Sequence, residues 1–208
     1  MDRLDALTGR VRELTGEYMA GGPRAFDAFR ELVQLMLGST VLADGQFVRL
    51  VRGKTGSDET RALGGPGGPT SPVQLRDGRW LRVAIDLYLA PHPGGTRLKV
   101  RKSSYQYQVD QDGQQEVFRY DYLREPGEDP HPTAHLNVHG SLDAAGVLPA
   151  GATLARVHFP TDRISLEAVL RLLAQDFGVP CAERPEVWRP VLTESETAFR
   201  EIAHRPGP

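Results

Sequence analysis

Residues 80–90 read WLRVAIDLYLA, and this stretch decides the fold. Its odd-numbered positions are apolar from Leu81 to Leu89, whereas Arg82 and Asp86 lie among the even-numbered positions. Alternation with a period of two is typical of a β-strand that has one face in a core and the other towards solvent or a site. The stretch therefore predicts a half-buried strand in a sheet that is covered on one side.

The residues on either side of this strand continue the same period. A second strand is predicted at residues 97–110, and its apolar phase changes near Lys102-Ser103, so a bulge or bend is expected there. Asp112-Gly113 is a hairpin-turn signal, so residues 116–124 should pair antiparallel with the second strand. Further strands are predicted at residues 47–52, 135–139 and 152–159.

Helical periodicity appears before and after the strands. Amphipathic helices are predicted at residues 1–18, 24–37 and 166–177. Ser165 is the expected N-cap of the third of these helices. Thr193 and Glu196 have the spacing of a capping box, which predicts that a short helix begins in the tail.

These elements together predict an α+β fold. We expect a mainly antiparallel sheet of about six strands, with an N-terminal helical pair and a C-terminal helix packed on it. The expected parts are the helical pair at residues 1–40, the sheet plus helix at 41–180, and a tail with a short helix at 181–208. The run Gly64-Gly65-Pro66-Gly67-Gly68-Pro69 predicts a flexible, exposed loop, because glycine and proline do not propagate a strand.

Composition narrows the class of protein. The chain has 208 residues, 39% of them hydrophobic and 25% charged, which is ordinary for a globular domain that buries a core. Its net charge of −2 lacks the basic excess of a dedicated nucleic-acid-binding protein. The single cysteine, Cys181, cannot form an internal disulfide, and no apolar run approaches the ~20 residues that cross a bilayer. We expect a cytoplasmic protein with no membrane association, and no cofactor is predicted.

Titratable, hydrogen-bonding and aromatic side chains concentrate in residues 105–140. Three of the histidines, His131, His135 and His139, are four residues apart and suggest a metal site. A strand advances ~3.3 Å per residue, so His135 and His139 should lie ~13 Å apart, which is too far for one metal ion. The spacing therefore argues against metal, and no metal ligand is predicted.

Acid–base chemistry fits the same residues better. His135 and His139 share one face of a strand, and Arg119 and Asp121 share one face of the strand before it. Histidine exchanges protons near neutral pH, and arginine stabilises charge on a phosphate. If Arg119 and His135 face the same way, these four residues are the catalytic set of a metal-independent ribonuclease. The alternative is a set of cross-strand hydrogen bonds with an Arg119–Asp121 ion pair on a solvated face.

Substrate contacts are predicted from Lys102, Tyr105, Tyr107 and Tyr120. The lysine would bind phosphate, and the aromatic rings would stack on bases. The alternative for the tyrosines is core packing, because a half-buried hairpin requires the same alternation.

One short motif suggests a family. Arg119-Tyr120-Asp121, a polar loop, a histidine run with proline at residues 131–139, and a terminal helix resemble the TumE-type toxins of bacterial toxin–antitoxin pairs. The resemblance covers about residues 98–177 and maps onto Arg119, Tyr120, Asp121 and His135. It implies a small sheet-plus-helix domain with a toxin-like role.

The predicted function is that of a toxin-like or accessory bacterial protein that engages RNA or a nucleotide and cleaves RNA without metal. The alternative is a non-enzymatic module that binds a partner protein through its N-terminal helices, with Leu7 and Val11 on the contact side. Metal-dependent hydrolysis is a third hypothesis.

Overall fold

The structure is a computed structural model, and it describes residues 2–52, 60–124, 133–139, 146, 148, 157, 159–160 and 163–203. Within these residues the chain forms four helices and seven strands. In chain order they are α1 (Arg3–Ala20), α2 (Arg24–Ser39), β1 (Arg49–Arg52), β2 (Thr60–Gly64), β3 (Val73–Gln74), β4 (Trp80–His92), β5 (Gly95–Gln108), β6 (Glu116–Leu123), β7 (Ala134–Val138), α3 (Leu166–Gln175) and α4 (Pro185–Ala203). None of the described helices combines the length and the apolar character that spanning a lipid bilayer requires.

The strands form one antiparallel sheet in the order β1-β2-β4-β5-β6-β7, and β3 pairs with β4 beside this path. The α+β fold with a mainly antiparallel sheet is therefore confirmed, as are the N-terminal helical pair and the C-terminal helix α3. The strand predicted at residues 152–159 lies outside the described residues, apart from Val157 and Phe159.

Strand β4 organises the sheet as its alternation predicts. Leu81, Val83, Ile85 and Leu87 are all buried, with at most 1% of each exposed. The predicted bulge is also present in the neighbouring strand β5. Asp86 pairs with Lys102, but the next residue of β4 pairs with Val100, so Arg101 is the extra residue that shifts the phase of β5.

The helices cover one face of this sheet, which we call the helix side. Apolar residues of all four helices join those of β4, β5 and β6 in a single core. Helix α1 packs on α2 and α4, with Val11 and Leu14 buried, and the Arg12–Glu194 ion pair joins α1 to α4 at 2.8 Å. The apolar side of α1 is therefore used inside the molecule.

The capping-box interpretation of the tail is wrong. Thr193 lies inside α4, which begins at Pro185, and its hydroxyl donates to the carbonyl oxygen of Arg189 at 2.9 Å. A proline is favoured at a first helical position because its missing N–H would have no partner there. A mid-helix threonine can bond back to the carbonyl four residues earlier, so the same residues occur without a helix start.

The interpretation of residues 64–69 as a flexible, exposed loop is also wrong. Gly65 and Gly68 form a β-bridge, and the backbone N–H of Gly65 donates to the carbonyl of Ser71 at 3.0 Å. A Cβ atom on Gly64 would lie 2.3 Å from the carbonyl oxygen of Gly68. Glycine is required here because backbone segments pack too closely for any side chain. We call residues 64–72 the glycine loop, and it forms a fixed wall beside the sheet.

Candidate functional site

The face of the sheet opposite the helix side is polar where β4 to β7 lie next to each other, and we call it the polar face. Strand pairing places its side chains in two rows, one of Arg82, Gln106, Arg119 and Asn137, the other of Ala84, Ser104, Asp121 and His135. Successive side chains of a strand point to opposite faces of the sheet, so each of these residues points away from the side that its core-facing neighbours in the same strand occupy. The predicted residues Arg119, Asp121 and His135 therefore do face the same way.

Asp121 is the centre of a charged array on this face. Its Oδ2 atom accepts from Arg119 Nε at 2.7 Å, and His135 Nε2 lies 3.4 Å from the same oxygen. Arg119 also donates through Nη1 to Glu116 Oε2 at 2.8 Å. The hydrogen bond to Asp121 and the charges of both carboxylates raise the pKa of the Arg119 guanidinium. The carboxylates of Asp121 and Glu116 thus both bind Arg119, and His135 contacts the same Asp121 oxygen that Arg119 does.

This geometry limits what His135 does as it stands. Its Nε2 atom faces Asp121, and its Nδ1 atom is buried. The imidazole has to turn away from Asp121 before either nitrogen can exchange a proton with a ligand. The Arg119–Asp121 ion pair is the one that the alternative interpretation of these strands predicts.

His139 does not join the array. It lies just beyond β7 and is exposed, and its backbone N–H donates to the carbonyl of Val117 at 3.1 Å. Its four-residue separation from His135 corresponds to ~13 Å along an extended chain. Lys102 is exposed opposite Asp86, two residues along β5 from Ser104. It is available on the polar face, at some distance from Arg119. His131 lies outside the described residues.

The tyrosines predicted as a stacking platform lie on the helix side. Tyr105, Tyr107 and Tyr120 are 6%, 0% and 4% exposed. The hydroxyl of Tyr107 donates to Asp77 Oδ2 at 3.0 Å, and that of Tyr120 donates to the carbonyl of Pro160 at 2.9 Å. Burial raises the pKa of all three phenols. The stacking interpretation is wrong and core packing is correct, because helices cover this side of the hairpin.

A cleft of about 250 Å³ opens on the polar face beside Arg119. The turn between β5 and β6 forms one wall, and Thr70 of the glycine loop forms the other. The side chains that line it are all polar or charged, with Arg82, Gln106, Gln108, Glu116 and Arg119 among them. Arg119 therefore connects this cleft to the charged array around Asp121.

Two side chains in the cleft have unused hydrogen-bonding groups. Arg82 is half-buried, its Nε atom is fully buried, and it makes no hydrogen bond or ion pair with the described residues. Gln106 is 4% exposed, and its carboxamide likewise has no hydrogen-bond partner in the described chain. Leaving the buried Nε atom of Arg82 without a partner is unfavourable, typically by about 1–3 kcal/mol. The other N–H groups of the guanidinium and the carboxamide of Gln106 remain for a ligand or water in the cleft.

The sequence did not single out Arg82, Gln106 or Gln108. The signal was present, since the alternation that buries Leu81 and Val83 places Arg82 on the other face. Bringing Arg82 beside Gln106 and Arg119 depends on the register of three strands, which alternation alone does not give.

No metal site is found in the part of the chain that the structure describes, where no three His, Cys, Asp or Glu side chains could hold one ion. No protein-family model, no curated protein and no solved structure matches this chain. The resemblance to TumE-type toxins stays a prediction, and functional conclusions depend on the site alone.

Proposed function

We propose that the protein binds RNA or a nucleotide in the cleft and along the polar face. The observation that carries the proposal is Arg82, a half-buried arginine on the cleft floor with no counter-ion among the described residues. Arginine is the preferred partner of phosphates and of base edges because its planar fork donates two parallel hydrogen bonds. An anionic or acceptor-rich ligand would complete this site.

The two arginines of the cleft, Arg119 and Arg82, differ in whether a carboxylate balances their charge. Arg119 is held by Asp121 and Glu116, so its charge is balanced before any ligand arrives. Arg82 has no counter-ion in the part of the chain that the structure describes, and Gln106 beside it adds a donor and an acceptor. Lys102 is exposed on the same face, four residues from Gln106, which is ~13 Å along a strand. We propose that Lys102 contacts a phosphate outside the cleft.

Cleavage of the bound RNA is a second and narrower proposal, based on the 3.4 Å contact between His135 Nε2 and Asp121 Oδ2. His135, once turned towards the ligand, would accept the proton of a ribose 2′-hydroxyl. The 2′-oxygen would attack the phosphorus, and the bond to the 5′-oxygen would break. The imidazolium would return its proton to that oxygen, leaving a 2′,3′-cyclic phosphate. After this turn, the negative charge of Asp121 on the neighbouring strand would still favour the imidazolium, without the direct contact.

The interaction-module alternative has less support. Val11 is fully buried, and Leu7 packs against the core, so the apolar side of α1 is already occupied. A partner protein would have to bind the polar side of these helices.

Fluorescence anisotropy with labelled single-stranded RNA of mixed sequence, in the presence of a chelator, tests binding. We expect Arg82→Gln to weaken RNA affinity about tenfold. It should also reduce the slope of log affinity against log salt concentration by about one. Arg24→Gln is the matched control, because Arg24 is an exposed arginine at the start of α2. Absence of binding by the natural chain, or equal binding by Arg82→Gln, would overturn the proposal.

Gel electrophoresis of the same mixtures tests cleavage. Cyclic-phosphate products that form in chelator and are lost in His135→Ala support the narrower proposal, and intact RNA refutes it while leaving binding in place. Induced expression in a bacterial host tests the toxin-like role. Growth arrest that Arg82→Gln relieves is the expected result, and normal growth with the natural chain would remove that role.

A further inference from the structure

The cleft is small. Its volume of about 250 Å³ falls below the range of roughly 300–1,000 Å³ found for pockets that hold drug-sized ligands. Arg82 is on β4 and Glu116 on β6, and β5 lies between them. Neighbouring strands are ~4.8 Å apart, so these two residues stand on strands ~10 Å apart. A planar group lying over Gln106 and Gln108 can reach both.

The two sides of the cleft differ in chemistry. Arg82 offers only donors. On the other side, Glu116 uses Oε2 for Arg119, while its Oε1 accepts no hydrogen bond from the described residues. Gln108 donates through Nε2 to the carbonyls of Asp110 and Gln111, which leaves its Oε1 as an acceptor. The side of the cleft at Arg82 thus presents donors, and the other side presents free acceptors beside Arg119, which is paired with Glu116.

We infer that the cleft selects guanine among the four RNA bases. The inference rests on the proposed binding of RNA or a nucleotide. Guanine carries adjacent acceptors at O6 and N7, which match the fork of Arg82. Its N1–H and N2 amino groups are donors on the neighbouring edge, and they match the free oxygens of Glu116 and Gln108. Gln106, with both a donor and an acceptor, supports either edge from below.

The other bases match less well. Adenine has an amino group where guanine has O6, so a donor would face Arg82. In uracil the N3–H donor separates O2 from O4, so it has no adjacent pair of acceptors. Cytosine has adjacent acceptors at O2 and N3 but only one neighbouring donor, its N4 amino group, so it cannot satisfy Glu116 and Gln108 as guanine does. One good bidentate pair discriminates between bases by roughly fivefold to 150-fold.

Isothermal titration calorimetry with the four nucleoside 5′-monophosphates on the full chain tests the inference. We expect guanosine monophosphate to bind at least about fivefold more tightly than each of the others. Arg82→Lys keeps the charge and loses the fork, so the guanine preference should fall below about twofold while RNA affinity stays within about threefold. Arg24→Lys, at an exposed site, should leave both unchanged.

Circular dichroism checks that each variant is folded, and Glu116→Gln gives a second test if Arg82→Lys is not. It should weaken guanosine monophosphate about fivefold and leave adenosine monophosphate unaffected. Equal affinity for all four nucleotides, or a preference for adenine, would overturn the guanine inference and leave RNA binding standing. If neither nucleotides nor RNA bind, the proposed function fails and the guanine inference fails with it.

Discussion

Strand β5 separates two surfaces of opposite character. Tyr107 points into the helix side, where its hydroxyl contacts Asp77 and Arg79 at 3.0 and 3.3 Å. Its neighbour Gln106 points to the polar face, where its carboxamide has no partner among the described residues. Both residues are buried, but only Tyr107 has a side-chain partner among the described residues. Burial alone therefore does not distinguish the two surfaces of this strand.

The largest expected difference between the two surfaces is in packing. Phe118 is fully buried on the helix side, with ring centroids 5.6 Å from Tyr107 and 5.4 Å from Phe177. Phe118→Ala should reduce the free energy of unfolding by about 3–5 kcal/mol, because it leaves a cavity in the core. Gln106→Ala on the polar face should reduce it by less than about 1 kcal/mol. Urea denaturation measures both, and equal losses would contradict the division between the surfaces.

The wall of the cleft gives the next largest effect. Gly64→Ala places a Cβ atom 2.3 Å from the carbonyl oxygen of Gly68 and 2.4 Å from Cα of Pro69, both of them backbone atoms. We expect a loss of about 1–3 kcal/mol in the free energy of unfolding and weaker RNA binding.

Gly16→Ala is the control for this prediction, because Gly16 is exposed in α1 and its added Cβ meets no atom within 4 Å. That change should raise thermal stability slightly, by up to about 1 kcal/mol. If Gly64→Ala left the free energy of unfolding and RNA binding unchanged, the glycine loop would be able to shift to admit the new Cβ atom and would not be a fixed wall.

These contrasts indicate which parts of the molecule could be predicted from sequence. The alternation in β4 and the phase change near Lys102 gave the sheet and its bulge, because period and phase are local properties of a strand. The same alternation does not tell which face the helices cover, so it leaves both base stacking and core packing open for Tyr105. The face that the helices cover is set by packing between elements far apart in the chain, and the pattern of a single strand carries no information about that packing.

The site was predicted in part for the same reason. Arg119, Asp121 and His135 lie on neighbouring strands joined by recognisable turns, so their common face followed from pairing. Arg82 comes to the cleft through the β4–β5 register, and the glycine loop completes the wall through close backbone packing. Neither the strand register nor the packing of the glycine loop can be inferred from the spacing of residues along the chain.

A buried acid on the helix side gives a pH-dependent test. Glu167 is 4% exposed in the first turn of α3, near Tyr18 and Tyr105. Burial raises the pKa of its carboxyl above the ordinary 4.5, although Ser195 donates to Oε1 at 2.5 Å and acts in the opposite direction. The folded chain therefore holds a proton that the unfolded chain releases as pH rises through 4.5.

The natural chain should accordingly lose stability as pH rises from 4.5 towards the raised pKa of Glu167, by at most about 1.4 kcal/mol per pH unit. Glu167→Gln should remove this loss, and thermal melts across the range measure it. Ser195→Ala should deepen the loss, since it removes a bond that lowers the pKa. Burial raises the pKa of Glu196, but the hydrogen bonds and charges of Arg171 and Arg200 together outweigh burial, and the pKa is lowered. Glu196 therefore changes stability below pH 4.5, outside the range in which Glu167 acts. Parallel melting profiles for the natural chain and Glu167→Gln would contradict the assignment.

The smallest expected effect on stability is at Asp121 on the polar face. Asp121→Asn removes the charge that faces Arg119 and His135, yet the amide keeps its shape and Glu116 still pairs with Arg119. The side chains of Arg119 and His135 are each 33% exposed, so solvent screens these pairs, and we expect a loss of less than about 1 kcal/mol in urea denaturation. A loss as large as that of Phe118→Ala would make the array part of the folding core. A small loss accompanied by altered RNA binding would instead show that the array orders the ligand site, because its charges would then act on the ligand more than on the fold.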